Sequence, residues 1–429
     1  MLKNYLLIAY KVLMRRKFFT FISLFGISFT LMILVVSVAF LDNSYTPQKP
    51  ESKFDRALWM PRWRMRSPDR NSNWHASGGY YTMDKYLRRI VTRTNGAIEA
   101  FAIFSNTAQV TTYLNNEKIE FQLRRTEAAY WDIVDMAFVE GAPFTEKDDL
   151  EKNFVAIINE TMRRKFFNGE QALGKDISFD GRRYRVVGVV KDVPEARRVA
   201  FADVWAPIGT DKQNVRVSTI ATNDDLMGYF ECVVLARSSN DLDVIRDAVR
   251  QSLVDIEFPN PKEFNLIETM PHNYFSLTAN QIFFDWETSF SQYQSEKLAG
   301  AILFCFVCFM FLPSINLINL NVSRMMERAS EIGVRKSFGA SSQVLVGQFL
   351  IENIVLTTIG GVLGLIFSAL VLKWLNDLGI WQYADFSLNW RVFLLGFLLM
   401  LIFGIVSGVY PAWRMAKLNP IDALKGVAR

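Results

Sequence analysis

The sequence predicts a membrane protein in which four transmembrane α-helices carry a large α+β extracytoplasmic domain inserted between the first and second spans. Three observations predict it. The chain has 429 residues, 50% of them apolar and 14% aromatic, with 35 phenylalanines and only 2 histidines, greasier than a soluble protein of the same charge content. Uninterrupted apolar runs lie at 18–41, 298–323, 344–372 and 392–413, and Glu352 is the one charge within them. Each is long enough to cross about 30 Å of hydrocarbon. The mixed, polar stretch 42–297 between the first two runs can bury a core of its own.

Orientation follows from the short flanks. Residues 1–17 carry Lys3, Lys11, Arg15, Arg16 and Lys17 with no acid, while 324–343 and 414–429 carry four basic residues each. The short loop 373–391 has Lys373 and Arg391 beside Asp377 and Asp385. The positive-inside bias therefore places both termini and 324–343 in the cytoplasm, and 42–297 and 373–391 outside, with Trp374, Trp381 and Trp390 suited to an interfacial belt. Leu2, Tyr5, Leu6, Ala9, Val12 and Leu13 share one face of a helix, so 1–17 reads as an amphipathic helix on the inner leaflet. The 18–41 run is too long for a secretory h-region, and Val38-Ala39-Phe40 is a poor cleavage site.

Within the outer domain, strands are expected at 97–104, 109–113, 119–124, 230–236 and 264–269, and helices at 126–135 and 242–254. The pattern fits two subdomains, one inserted in the other. Residues 169–176, Gly169-Glu-Gln-Ala-Leu-Gly174-Lys175-Asp176, match a phosphate-binding loop except at the last position, where an acid replaces the hydroxyl that would bind Mg²⁺. Lys175 falls outside the membrane, and the surroundings read as strand 154–159, helix 160–167, a turn, and a hairpin over 177–190 folded at Asp180-Gly181. Cys305 and Cys308 have redox spacing but sit in an apolar span, where a thiolate is costly, so helix packing is expected of them. Cys232 is alone in the outer domain, and His75 and His272 are too isolated for a metal site.

The segment after the second span is dense in both charge signs: Glu327, Arg328, Glu331, Ile332, Gly333, Arg335, Lys336 and Gly339. Glu327 and Glu331, and Glu331 and Arg335, are one helical turn apart, and Gly339 suits a helix stop. A short surface helix offering charges and apolar knobs is a docking element. In the spans, Gly360/Gly364 and Gly404/Gly408 give small residues for close helix contact. Glu352 costs about 2.5–3.5 kcal/mol in mid-span on insertion scales, so it should face protein or water, as a structural or coupling partner.

ERASEIGVRKSFGAS over 327–341, followed by QFLIEN and GGVLG, resembles the second-to-third span region of MacB-type ABC transporter permeases, the MacB/FtsX-like family with a periplasmic core domain. YPA at 410–412 and RMAKLNPIDAL at 414–424 resemble the family's ending, and 155–190 is similar to its periplasmic core. Ser330 stands where the motif more usually carries a basic residue. The MacB protein itself has an ATPase domain ahead of its first span, where this sequence has 17 residues, so the resemblance implies a separate ATPase subunit. It further implies a non-enzymatic, mechanotransmitting permease without a bound cofactor, ATP and Mg²⁺ being held by the partner. The implied partners are that cytoplasmic ABC ATPase, a second permease copy or paralogue, the lipid bilayer, a periplasmic adaptor and an outer-membrane duct, with no nucleic acid. Efflux of peptides, antibiotics or other amphiphiles across the cell (inner) membrane is the leading expectation. Lipoprotein release, regulation of cell-wall hydrolases and reception of an outside ligand are the alternatives.

Overall fold

The computed structural model describes residues 11–378 except 12, 16, 72, 115, 196, 212–221, 286–289, 291, 309–310, 312–333, 335–337 and 339–340, and beyond them 386, 390, 391, 393, 394, 396–398, 401, 402 and 405. The chain divides into two units, 44–298 and 1–43 with 299–429. Its elements are, in order, α1 (Lys17–Tyr45), β1 (Ala57–Met60), β2 (Trp63–Arg66), β3 (Asn73–Gly78), α2 (Tyr80–Arg93), β4 (Ile98–Ser105), β5 (Ala108–Leu114) and β6 (Glu117–Thr126). There follow α3 (Tyr130–Ile133), β7 (Phe138–Gly141), α4 (Glu146–Leu150), β8 (Val155–Asn159), α5 (Glu160–Phe167), β9 (Asp176–Phe179), β10 (Arg182–Val190) and β11 (Val204–Pro207). The remaining elements are β12 (Met227–Gly228), β13 (Phe230–Ala236), α6 (Leu242–Leu253), β14 (Leu266–Thr269), α7 (Tyr274–Ile282) and α8 (Ser342–Leu378).

The strands of the 44–298 unit join in one mixed network, β14-β2-β3-β13-β4-β6-β11-β8-β10-β7, with β1 on β13, β12 on β3, β5 on β6 and β9 on β10. β1 and β13 are apolar at nearly every position because both of their faces are covered. Leu58 and Met60, with Phe230, Cys232, Val234 and Ala236, join Tyr86, Leu87 and Ile90 of α2 and Ile245 and Val249 of α6. The alternate residues Ala57, Trp59, Val233 and Leu235 face Tyr130, Trp205 and Leu277. A third core, with Phe121, Leu123, Ile158, Tyr184 and Val204, lies in the segment 107–211 that the chain inserts between β4 and β13. Between β4 and β6 the ladder is the one pair Phe104 with Thr126.

Local chemistry accounts for the segment around the apparent phosphate loop. Asn159 caps α5 by accepting from the Met162 N–H at 2.8 Å, and Asn168 ends it in the left-handed region at φ 52°. Asp180 and Gly181, at φ 56° and 73°, make the primed turn that joins β9 to β10. The helix expected over 126–135 shrinks to α3. Its first residue instead ends β6, where Thr126 pairs with Pro207 of β11 and with Phe104 of β4. Strand 264–269 starts later, at Leu266.

In the other unit, Lys17–Asn43 of α1 and Leu350–Leu378 of α8 are long and apolar enough to cross a bilayer. Of the run 298–323, residues 298–308 and 311 are described, and they are helical; the run 392–413 is described only at isolated positions.

Two glycines separate backbone need from steric need. Gly141, at φ 67°, would place a Cβ 2.1 Å from the Val187 carbonyl oxygen, whereas Gly181, at φ 73°, would meet nothing within 4 Å. Gly141→Ala should therefore destabilise the outer unit by well over the ~1–2 kcal/mol expected of Gly181→Ala, where only the left-handed backbone is penalised. Thermal unfolding of the two purified variants checks the order.

Candidate functional site

The candidate docking residues Glu327, Arg328, Glu331, Ile332, Gly333, Arg335, Lys336 and Gly339 lie outside the described residues, as do Gly404 and Gly408. Gly360 and Gly364 are in α8 and lie against α1. A Cβ at Gly360 would stand 2.6 Å from Ile27 Cγ2, and one at Gly364 would stand 3.0 Å from Leu31 Cβ and from the Ser28 carbonyl oxygen. Missing side chains thus let the two helices approach, with Ile27, Leu31, Leu34, Val35 and Leu356 buried at the contact. Gly361 and Gly396 do the same against Phe397 and Leu34. Glu352 is half-buried in α8, where Gln348 Nε2, one turn before it, donates to Oε1 at 3.1 Å.

Residues 169–176 cannot cradle a phosphate in the manner of a nucleotide site. In a phosphate-binding loop a helix begins after the glycines and turns its free N–H groups on the anion. Here α5 precedes the glycines and β9 follows them. Lys175 pairs with Glu170 at 3.0 Å and lies over the Phe167 ring. Cys305 and Cys308 are exposed, and Cys305 lines, with Ile302 and Phe306, an apolar pocket against Leu34 and Phe40 of α1. His272 is buried, and burial aided by Arg246 pushes its imidazole down to about 4. It is therefore neutral at pH 7, with Nδ1 3.3 Å from Ser276 Oγ.

The segment just past α1, where the chain enters the outer unit, is fastened at several points. Tyr45 sets its ring edge-on to Phe275 of α7 at 5.4 Å. Arg197 Nη1 donates to the Thr46 carbonyl at 3.1 Å, and the Asp135 N–H to the Pro50 carbonyl at 2.6 Å. Ser52 Oγ donates to Asp135 Oδ2 at 3.0 Å, and Lys53 Nζ to the Asp132 carbonyl at 2.7 Å. At the centre Glu51 is 0% exposed. Its Oε1 accepts from the Tyr274 hydroxyl at 2.6 Å and from the Ala200 N–H at 2.9 Å, while Arg197 stands 3.9 Å from Oε2. One carboxyl thereby ties the inbound segment to α7 and to the 197–200 loop of the inserted segment. Burial pushes it up to about 7, against the lowering pull of Tyr274, the Ala200 N–H, Arg197 and Arg124. Phe54 completes the joint by stacking on Tyr274 at 5.6 Å.

None of this joint is visible in the sequence, since Ala200 and Tyr274 are 149 and 223 residues from Glu51. A lone acid beside Pro50 in a linker carries no pattern.

Helices long and apolar enough to cross a bilayer in one unit, and a mixed α/β domain in the other, fit a class that the family matches then show: a membrane permease with a periplasmic α/β domain. Residues 20–252 match the MacB-like periplasmic core domain and 301–420 match the FtsX-like permease C-terminal domain. The chain belongs to this MacB/FtsX family of ABC transporter permeases, whose members work with ABC ATPases. It is 24% identical over 311 residues to the uncharacterized ABC transporter permease YknZ of Bacillus subtilis, covering 72% of this chain and 71% of that one. It is 27% identical over 322 residues to the macrolide export ATP-binding/permease protein MacB of Rhodopirellula baltica, covering 70% of this chain but only 44% of that protein. The crystal structure of the extracellular domain of YknZ aligns with 49% of this chain and 99% of its own, at 17% identity and a TM-score of 0.37.

Glu51 gives the outer unit a pH signature. Because its folded pKa is raised above the unfolded value of 4.5, the folded protein holds a proton that the unfolded chain has lost. Its contribution to stability is fully present below about 4.5 and is lost as pH rises through about 7. Glu231, also pushed up to about 7 by burial, adds a fall of the same sign. Glu51→Gln should remove its own share, on the order of 1–3 kcal/mol, leaving a shallower pH dependence in denaturant titrations between pH 5 and 8.

Proposed function

We propose that the chain is the permease subunit of a mechanotransmitting ABC transporter. It has four spans and both termini in the cytoplasm of the cell (inner) membrane, and the outer domain is inserted between the first two. ATP and Mg²⁺ are bound and turned over by a cytoplasmic ABC ATPase, and this chain supplies no catalytic group. Two permease copies, or this chain and a paralogue, pair with two ATPases. The segment Glu327, Arg328, Glu331, Ile332, Gly333, Arg335, Lys336 and Gly339 docks on the ATPase, and Glu352 and the glycines of the spans keep the helices in register as they move. The exported molecules are peptides, antibiotics or other amphiphiles, handed to a periplasmic adaptor and an outer-membrane duct. Macrolide export is what the MacB relatives are named for, and it supports an efflux role.

The observation that carries this reading is the fastening of the segment after α1. A helix is stiff along its axis, and α1 runs to Tyr45, one residue before Thr46, which Arg197 holds. A displacement of that helix end is passed to α7 through Glu51 and Tyr274, and to the inserted segment through Ala200 and Asp135. A flexible linker would have absorbed it.

Reversal of a charge at the proposed dock separates this reading from simple membership of a membrane complex. Glu331→Lys should lower recovery of the ATPase in a pull-down at least about tenfold, since losing one member of a half-buried interface pair typically costs about 2–5 kcal/mol. Insertion and permease pairing should be unchanged. Full ATPase recovery with the variant would remove Glu331 from the dock.

A further inference from the structure

A cleft of about 900 Å³ opens in the 44–298 unit beside the Glu51 joint. Glu231 of β13 and Arg124 of β6 line it, with Trp59, Phe201 and Leu277 as apolar wall and Arg62 and Arg198 exposed at its edge. Arg124 is 4% exposed and donates to three backbone carbonyls, those of Phe201 at 3.2 Å, Ser105 at 3.2 Å and Arg198 at 2.9 Å. Its guanidinium lies over the Phe104 ring at 4.9 Å, and among the described residues it has no carboxylate at ion-pair distance. A guanidinium held by carbonyls keeps its whole charge for whatever enters the cleft. Below about pH 7 Glu231 does not cancel it. Its Oε2 accepts from Trp59 Nε1 at 2.7 Å, and burial pushes the carboxyl up to about 7 although Arg124, Arg62 and Arg198 pull it down.

We propose that this cleft binds a soluble amphiphile bearing a carboxylate, with the anion received by Arg124, Arg62 and Arg198 and the apolar body laid on Trp59, Phe201 and Leu277. The charged groups around Glu231 are Arg124 from β6, Arg62 from the turn after β1, and Arg198 and Glu195 from the segment between β10 and β11. When Glu231 is protonated, three guanidinium charges face the single carboxylate of Glu195. An incoming anion therefore favours the protonated form, and binding takes up a proton. Affinity rises as pH falls through about 7. The inference needs no ATPase and stands apart from the coupling reading.

The test is a fluorescence titration of the full chain in phosphatidylcholine nanodiscs with dansylglycine, and with dansylamide as the same ring system lacking the carboxylate. Dansylglycine should bind at least about tenfold more tightly than dansylamide, as expected of a charge-assisted hydrogen bond. It should also bind about tenfold more tightly at pH 6 than at pH 8, by the change in the protonated fraction of a group titrating near 7. Glu231→Gln should bind at pH 8 nearly as wild type does at pH 6, with most of the pH dependence gone and a small remainder from Glu51, which also feels Arg124. Arg198→Gln, an exposed position that the fold tolerates, should weaken dansylglycine and leave dansylamide unchanged. Equal binding of the two probes, or no effect of Arg198→Gln, would overturn the proposal. Displacement of dansylglycine by phosphatidylglycerol placed in the disc would overturn it in favour of a lipid headgroup.

Discussion

Burial of a carboxyl group at the point where the chain enters its outer domain is the constraint on which the rest depends. Water is excluded from Glu51, so its hydrogen bonds must come from protein, and the available donors lie on separate pieces of the fold: Tyr274 on α7 and Ala200 in the inserted segment. A buried acid with one oxygen accepting two hydrogen bonds and the other facing Arg197 at 3.9 Å tolerates little displacement of any partner. Removing one partner would strand a polar group in an apolar core that already holds Tyr130, Trp205 and Leu277. The three pieces are therefore compelled to move together.

The central strands impose a complementary demand. β1 and β13 are covered on both faces, by α2 and α6 on one side and by the Trp205 cluster on the other, so the half that receives the chain from α1 is stiff. The inserted half joins it in the sheet through the single pair between β4 and β6, and through the side-chain contacts of the shared core. Stiffness within a half and a narrow backbone connection between halves is an arrangement suited to passing displacement through a few defined contacts, Glu51 among them.

How much of this was legible in the sequence depends on how local its cause is. The hairpin β9–β10 was legible because Asp180-Gly181 supplies the positive φ that the turn needs. Gly360 and Gly364 were legible as a small-residue pair, while Gly361 and Gly396, equally close to their neighbours, carried no spacing that marks them. The helix that the sequence suggests over 126–135 is shorter in the fold because pairing of Thr126 with Pro207, 81 residues away, overrides helical propensity at its start. The phosphate-loop spacing at 169–174 misleads for a related reason, since the motif fixes residue types and not whether a helix stands before or after them. Glu51, Arg124 and Glu231 were invisible because their meaning lies in partners from distant segments and in the water those partners exclude.

If the joint at Glu51 transmits motion as proposed, displacement on the ATPase side should reach the outer domain. The direct measurement is electron–electron double resonance between spin labels at Lys297→Cys on two permease copies, in a reconstituted complex whose ATPase activity is verified and whose Cys305 and Cys308 are replaced. The label separations should differ between the ATP-trapped and nucleotide-free states, with the difference reduced when Glu51→Ala loosens the joint at the head of the domain. Identical separations in the two states would contradict this transmission.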